Sequence, residues 1–216
     1  EALSVISSIF DPMGWISHWT IQGRIIIQDI WRSGIKWDDP LQQIEAKKWY
    51  AFLEKLFQAH TIVIPRCYFP DAPHGVFELH TLCDASENAY AAVIYLECVK
   101  PEGLYKRPVL VAARSRVAPL KAMSVARLEL QAAVLGTRLH SVVKQFLTKK
   151  GMDIVASTFY SDSEVVLGWI NSDHRRYQVF VAHRVSEILT TTTKAQWCYV
   201  NTCLLYTSPS PRDVEE

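Results

Sequence analysis

The chain has 216 residues, 49% of them hydrophobic and 21% charged, with a formal net charge of +1. That length buries a proper core as one large or two small domains, and the composition is globular rather than disordered or fibrous. A charge so near zero excludes a polyanion-binding surface spread over the whole molecule, so a nucleic-acid partner has to be met by a local patch.

Five cysteines, Cys67, Cys83, Cys98, Cys198 and Cys203, include no CxxC pair, which suits a reducing compartment better than a disulfide scaffold. Cys67, His80 and Cys83 match no standard zinc spacing. No apolar run reaches the ~20 residues of a membrane-spanning helix, and the first residues do not read as a signal peptide. The chain opens on Glu1 and is expected to be a piece of a longer protein.

Residues 1–70 read as helical and tryptophan-rich. "SSIFDPMGWIS" breaks at Asp11-Pro12 and Gly14, and "TIQGRIIIQDIWRSGI" reads as a helix ending near Gly34. After a stop at "WDDP", "LQQIEAKKWYAFLEKLFQAH" spaces Leu41, Ile44, Phe52 and Leu56 at helical intervals. The tryptophans here are expected to pack in the core. "IPRCYFPDAPHG" is rich in proline and turn residues and is expected to be a linker.

The pattern then changes. "GVFELHTLC" and "AYAAVIYLE" read as a hairpin and "RPVLVAARSRV" as a third strand. Ser124 is placed to cap a long helix with Leu128, Leu135, Leu139 and Phe146 near one face and Gly151 beyond its end. "DIVASTFYSD" reads as a fourth strand, "SEVVLGWINS" and "YQVFVAHRVSEILT" as helices, and "QWCYVNT" as a fifth strand. The order predicts an α/β fold: a mixed five-stranded sheet over residues 76–202, with helices laid on it.

Three acids stand out in that order. Asp84 closes the first strand, Glu129 lies one turn inside the long helix, and Asp162 ends the fourth strand. Each has an ordinary explanation. Asp84 reads as a turn former, Glu129 as an acid favoured by the helix dipole, and Asp162 as the cap of the following helix. Taken together, if the fourth strand pairs beside the first and the helix packs over them, these three side chains can converge at one edge of the sheet.

"SIFDPMGWIS", "IWRSGIKWDD", "LHTLCDASENAYAAVIYL", "ARSRVAPLK", "VARLELQAAVLGTRL", "YSDSEVVLGWI" and "FVAHRVSEI" occur in an order that resembles the polyprotein of BEL/Pao-type long-terminal-repeat retrotransposons. The resemblance runs over about residues 3–202. It implies a thumb or connection segment of reverse transcriptase over 1–70 and a ribonuclease H-like domain over 76–202. It also implies that Asp84, Glu129 and Asp162 are three members of a catalytic acidic set holding two Mg2+ ions, or Mn2+ in their place, with Asp84 bridging the pair. Hard divalent cations suit crowded carboxylates, and a two-ion site activates water against a phosphodiester. The implied activity is hydrolysis of the RNA strand of an RNA–DNA hybrid. The implied partners are that hybrid and the polymerase and integrase parts of the polyprotein, in a cytoplasmic particle.

Between Leu104 and Leu128 the sequence holds no acid, while Lys106, Arg107, Arg114, Arg116, Lys121 and Arg127 supply positive charge. A solvated strand edge accounts for some of these residues. Phosphate contact along a hybrid, with recognition by shape and 2′-hydroxyls, is the functional reading. His183, where the family more often shows asparagine, is given no role.

After "QWCYVNT" the family continues to an "NPAD"-like motif whose aspartate supplies a fourth carboxylate. This chain reads "CLLYTSPSPRD" there, and its back-translation resembles a transposase-type sequencing adapter. Residues 203–216 are therefore expected to be an artefactual, disordered tail, and Asp213 is not the fourth acid. With three of the four carboxylates, the chain is expected to hold metal weakly or cleave slowly. Two other readings stand beside the nuclease. One is a non-catalytic ribonuclease H-like module that grips nucleic acid. The other is an aspartic peptidase, which would need an Asp-Thr/Ser-Gly loop that the sequence does not contain.

Overall fold

The computed structural model describes residues 1–37, 39–70, 75–99, 107–172 and 177–201. Helices Ala2–Ser8 (α1), Ser17–Arg32 (α2) and Gln43–Phe57 (α3) gather around a small core of Ile6, Trp49 and Phe52. The expected burial of tryptophan holds for Trp49. Trp31 and Trp37, in and beyond the last turn of α2, are 58% and 72% exposed and meet each other edge-on at 5.2 Å instead.

Strands Val76–Ala85 (β1) and Ala89–Val99 (β2) pair antiparallel from Val76↔Val99 to Ala85↔Tyr90. Buried and half-buried side chains alternate along both, so one face is turned to a core. Val109–Val117 (β3) continues the meander against β2. Helix Val125–Lys149 (α4) then crosses the sheet and delivers Asp153–Ser161 (β4) to the other side of β1, in parallel. A parallel pair needs such a crossover, because no tight turn can connect it. Helices Glu164–Asn171 (α5) and Val179–Thr191 (α6) follow, and the short strand Trp197–Tyr199 (β5) pairs parallel with β4. The strand order is β3-β2-β1-β4-β5, an α/β arrangement with a mixed five-stranded sheet, as expected.

The main core lies between the sheet and α4, α5 and α6, where Cys83, Ala92, Leu130, Ala133, Phe159, Ile170 and Val185 meet. A second cluster, with Phe77, Leu79, Ile94 and Leu139, fills the other end of the same layer. Phe69 joins it at 5.4 Å from Phe77, so part of the expected linker is core. Phe146, expected on the apolar face of α4, is 57% exposed with Lys150 over its ring.

The amino-terminal unit closes the free edge of β3. The Ala113 amide donates to the Met13 carbonyl at 2.8 Å, Ser115 Oγ donates to the Ser17 carbonyl at 3.3 Å, and Gln28 Nε2 donates to the Ala118 carbonyl at 2.6 Å. An edge strand left bare is a template for unwanted pairing, and this contact removes it. Gly14 makes it possible: its φ is +77°, and a Cβ there would lie 1.8 Å from the Ala113 carbonyl oxygen. Among the described residues no helix is long and apolar enough to cross a membrane.

Candidate active site

Helix α4 packs chiefly over β1 and β2, with Gly136 set against Cys83, Thr81 and Ala92. It sits close because residue 136 is glycine; a Cβ there would come within 2.4 Å of Cys83 Sγ and 3.2 Å of Thr81 Cγ2. Burial, reinforced by the neighbouring Asp84 charge, pushes the Cys83 thiol well above its ordinary range, so it stays protonated in the core.

Cys83 and Ser161 are the last paired residues of β1 and β4. Asp84 and Asp162 are the next residue on each strand, and neighbouring strands run about 4.8 Å apart. Both side chains are partly buried. Glu129, also partly buried, stands beyond the first turn of α4, which holds no acid. It accepts a hydrogen bond from Ser163 Oγ at 2.5 Å, and Ser163 directly follows Asp162. Strand β1, helix α4 and strand β4 thus bring their acids to one end of the sheet.

Asp162 does not cap α5. Ser163 does, its hydroxyl oxygen accepting from the Val166 amide at 3.2 Å, while the Ser163 amide donates to Ser161 Oγ at 3.2 Å. The loop carrying Asp162 is held from both sides, and the ordinary explanation of that acid falls away. The signal for the true cap was present, since Ser163 precedes Glu164 at a helix start.

Asp84, Glu129 and Asp162 are oxygen donors of the kind that Mg2+ and Mn2+ take. Their chemistry fits such an ion, but their present arrangement is not a finished site. Among the described residues no three His, Cys, Asp or Glu side chains are grouped to hold a metal ion. Along β1 the side chains alternate: Cys83 turns toward α4, which sets Asp84 on the opposite face of the strand. The Ser163 hydroxyl also engages the Glu129 carboxylate.

Of the expected basic residues, Lys106 lies outside the described residues. Arg107, Arg114, Arg116 and Lys121 are exposed. Arg114 pairs through Ala92 with Cys83, and Arg116 through Tyr90 with Ala85. The two arginines therefore stand in the transverse rows on either side of that of Asp84, about 10 Å away across two strand spacings, and share the sheet face of Cys83 and Ala85 rather than that of Asp84. Arg127 has structural work as well: its guanidinium lies 5.2 Å from the Phe180 ring and donates to Gln178 Oε1 at 3.3 Å. Arg184, which sequence reasoning passed over, covers the same ring at 3.5 Å. The i, i+4 spacing of Phe180 and Arg184 was the available signal. His183 is exposed.

No curated protein matches this sequence. The solved structures it is similar to include RNase H1 from the halophilic archaeon Halobacterium salinarum NRC-1, at 14% identity over 60% of this chain and 89% of that one, with a TM-score of 0.32. They also include LC11-RNase H1 in complex with RNA/DNA hybrid, at 12% identity over 58% and 83%, with a TM-score of 0.35. The foamy viral protease-reverse transcriptase in complex with double-stranded DNA is similar over 97% of this chain but 35% of its own, at 12% identity and a TM-score of 0.41. These likenesses are faint. The family model described as the Pao retrotransposon-like RNaseH-like domain matches residues 1–163, a span that contains Asp84, Glu129 and Asp162. With the greater part of its length matched, the chain belongs to the Pao retrotransposon-like RNaseH-like domain family.

Proposed function

We propose that this domain hydrolyses the RNA strand of RNA–DNA hybrids during reverse transcription, using Asp84, Glu129 and Asp162 to hold divalent cations. The observation that carries this reading is the placement of Asp84 and Asp162 one step beyond the paired Cys83 and Ser161, with Glu129 tied to the next residue, Ser163. When bound, a pair of Mg2+ ions supplies the activation of water and the stabilisation of the departing oxygen. The chain's own residues do the rest. Asp84 sits on rigid strand backbone, paired with Ala91 of β2. The doubly anchored Asp162 loop limits slack, which metal geometry tolerates poorly. Arg114 and Arg116 contact phosphates without reading sequence.

The decisive measurement is cleavage of a labelled hybrid in Mg2+ by the wild type and by Asp84→Asn. Loss of roughly a hundredfold or more in rate, about 2.7 kcal/mol of barrier, is the expected result. Equal rates for the two proteins would remove the acids from the chemistry. The lack of a finished three-ligand group among the described residues favours one second reading, a ribonuclease H-like module that binds nucleic acid without cutting it. Hybrid binding with no metal-dependent turnover in the wild type would select it.

A further inference from the structure

A cavity with its own polar apparatus lies away from the three acids, none of which lines it. It has a volume of about 310 Å3 and opens between α4, β4, the end of α6 and the turn before β5, lined in part by His140, Lys144, Gln145, Ser157, Thr191 and Gln196. His140 stands eleven residues along α4 from Glu129, about 16 Å down the helix. Among the described residues Lys144 is the one charged side chain in the lining. Its Nζ reaches Ser157 Oγ at 3.5 Å, and Gln196 Nε2 holds the Ser157 carbonyl at 3.1 Å.

His140 and Ser157 are only 5% and 8% exposed. His140 Nδ1 lies 2.9 Å from Thr81 Oγ1 and Nε2 lies 3.1 Å from Ser157 Oγ. A neutral imidazole donates from one nitrogen and accepts at the other, so two arrangements satisfy these contacts. In the first, Ser157 donates to Nε2 and Nδ1–H donates to Thr81. In the second, Thr81 donates to Nδ1, while Nε2–H and Lys144 both donate to Ser157 Oγ. That second arrangement turns the Ser157 hydroxyl hydrogen toward the cavity, beside the two unused N–H groups of Lys144.

We infer that this cavity is a binding site for a small oxyanion, a carboxylate or phosphate group, which Lys144 and Ser157 grasp while His140 takes the Nε2–H form. One half-buried ammonium, with no acid among the described lining residues, matches a negative charge, and charge-assisted hydrogen bonds are strong. The site is independent of the nuclease reading, since none of its residues belongs to the acid cluster.

The test is nitrogen-15 NMR of the histidine rings in the whole chain, titrated separately with inorganic phosphate and with acetate, alongside calorimetry. The anion-saturated wild type is expected to hold His140 as Nε2–H. Lys144→Met, with its fold checked by circular dichroism, is expected to bind at least tenfold more weakly. A response to phosphate alone assigns the site to phosphate groups, and a response to acetate assigns it to carboxylates. A saturated protein with His140 as Nδ1–H, ring signals that ignore both anions, or a response that survives Lys144→Met, meaning an adventitious ion only, would each overturn the proposal.

Discussion

Ser163 Oγ donates to Glu129 Oε2 at 2.5 Å while accepting the Val166 amide hydrogen at 3.2 Å. One hydroxyl both caps α5 and fastens α4 to the end of β4. Replacing Ser163 by alanine removes the cap and leaves a partly buried carboxylate short of a donor. The expected loss is about 1–3 kcal/mol in urea denaturation, with Ser163→Thr recovering most of it. A Ser163→Ala protein as stable as the wild type would show that the contact carries no weight.

Arg114 and Arg116 share one face of β3 and are both exposed. Each cation that neutralises a phosphate adds roughly 0.9 to the slope of log affinity against log salt. In an Asp84→Asn background, changing both to glutamine is expected to lower that slope for hybrid binding by about 2. An unchanged slope would take this strand out of the interface.

Burial, and then the Lys144 charge, lower the His140 pKa from an ordinary 6.5 to about 4. The folded state therefore resists a proton that the unfolded chain accepts. Stability is full above pH 6.5, falls as pH drops from there toward 4, and levels off below, because the unfolded state binds more protons only in that window. The drop is roughly 3 kcal/mol at 1.36 kcal/mol per unit. His140→Gln keeps a hydrogen-bonding group but cannot titrate, so its denaturation midpoint should depend less on pH in that interval. Parallel profiles for the two proteins would contradict the burial account.

Gly14 stands at φ +77° with the Ala113 carbonyl where a Cβ would go. Gly14→Ala meets both strain and collision, and a loss of about 3 kcal/mol or more is expected. The amino-terminal unit would then lift from β3 and uncover its edge, so size-exclusion chromatography should show self-association. A monomer with an unchanged melting temperature would mean that the edge contact is dispensable.

Several features were readable without coordinates because their cause is local. The alternation in β1 and β2, the long amphipathic α4 and the glycine after it follow from side-chain periodicity and backbone preference. Asp84, Glu129 and Asp162 were likewise visible as acids at element ends. Periodicity, however, does not say how far a partner surface extends. Phe146 keeps the spacing of the α4 core residues yet stands exposed, and Phe69 is buried inside a proline-rich stretch.

What the amino-acid order determined by itself was the set of elements, their type and the ends on which the acids sit, since these depend on neighbours a few residues apart. Only the tertiary structure decided that β4 lies parallel beside β1, that Ser163 and not Asp162 caps α5 while engaging Glu129, and that His140 bridges Thr81 and Ser157. Apart from the cap itself, those contacts join residues 17 to 78 positions apart. Their partners are selected by which face of the sheet and which turn of α4 come together, a choice made by packing the whole layer and not by any segment within it.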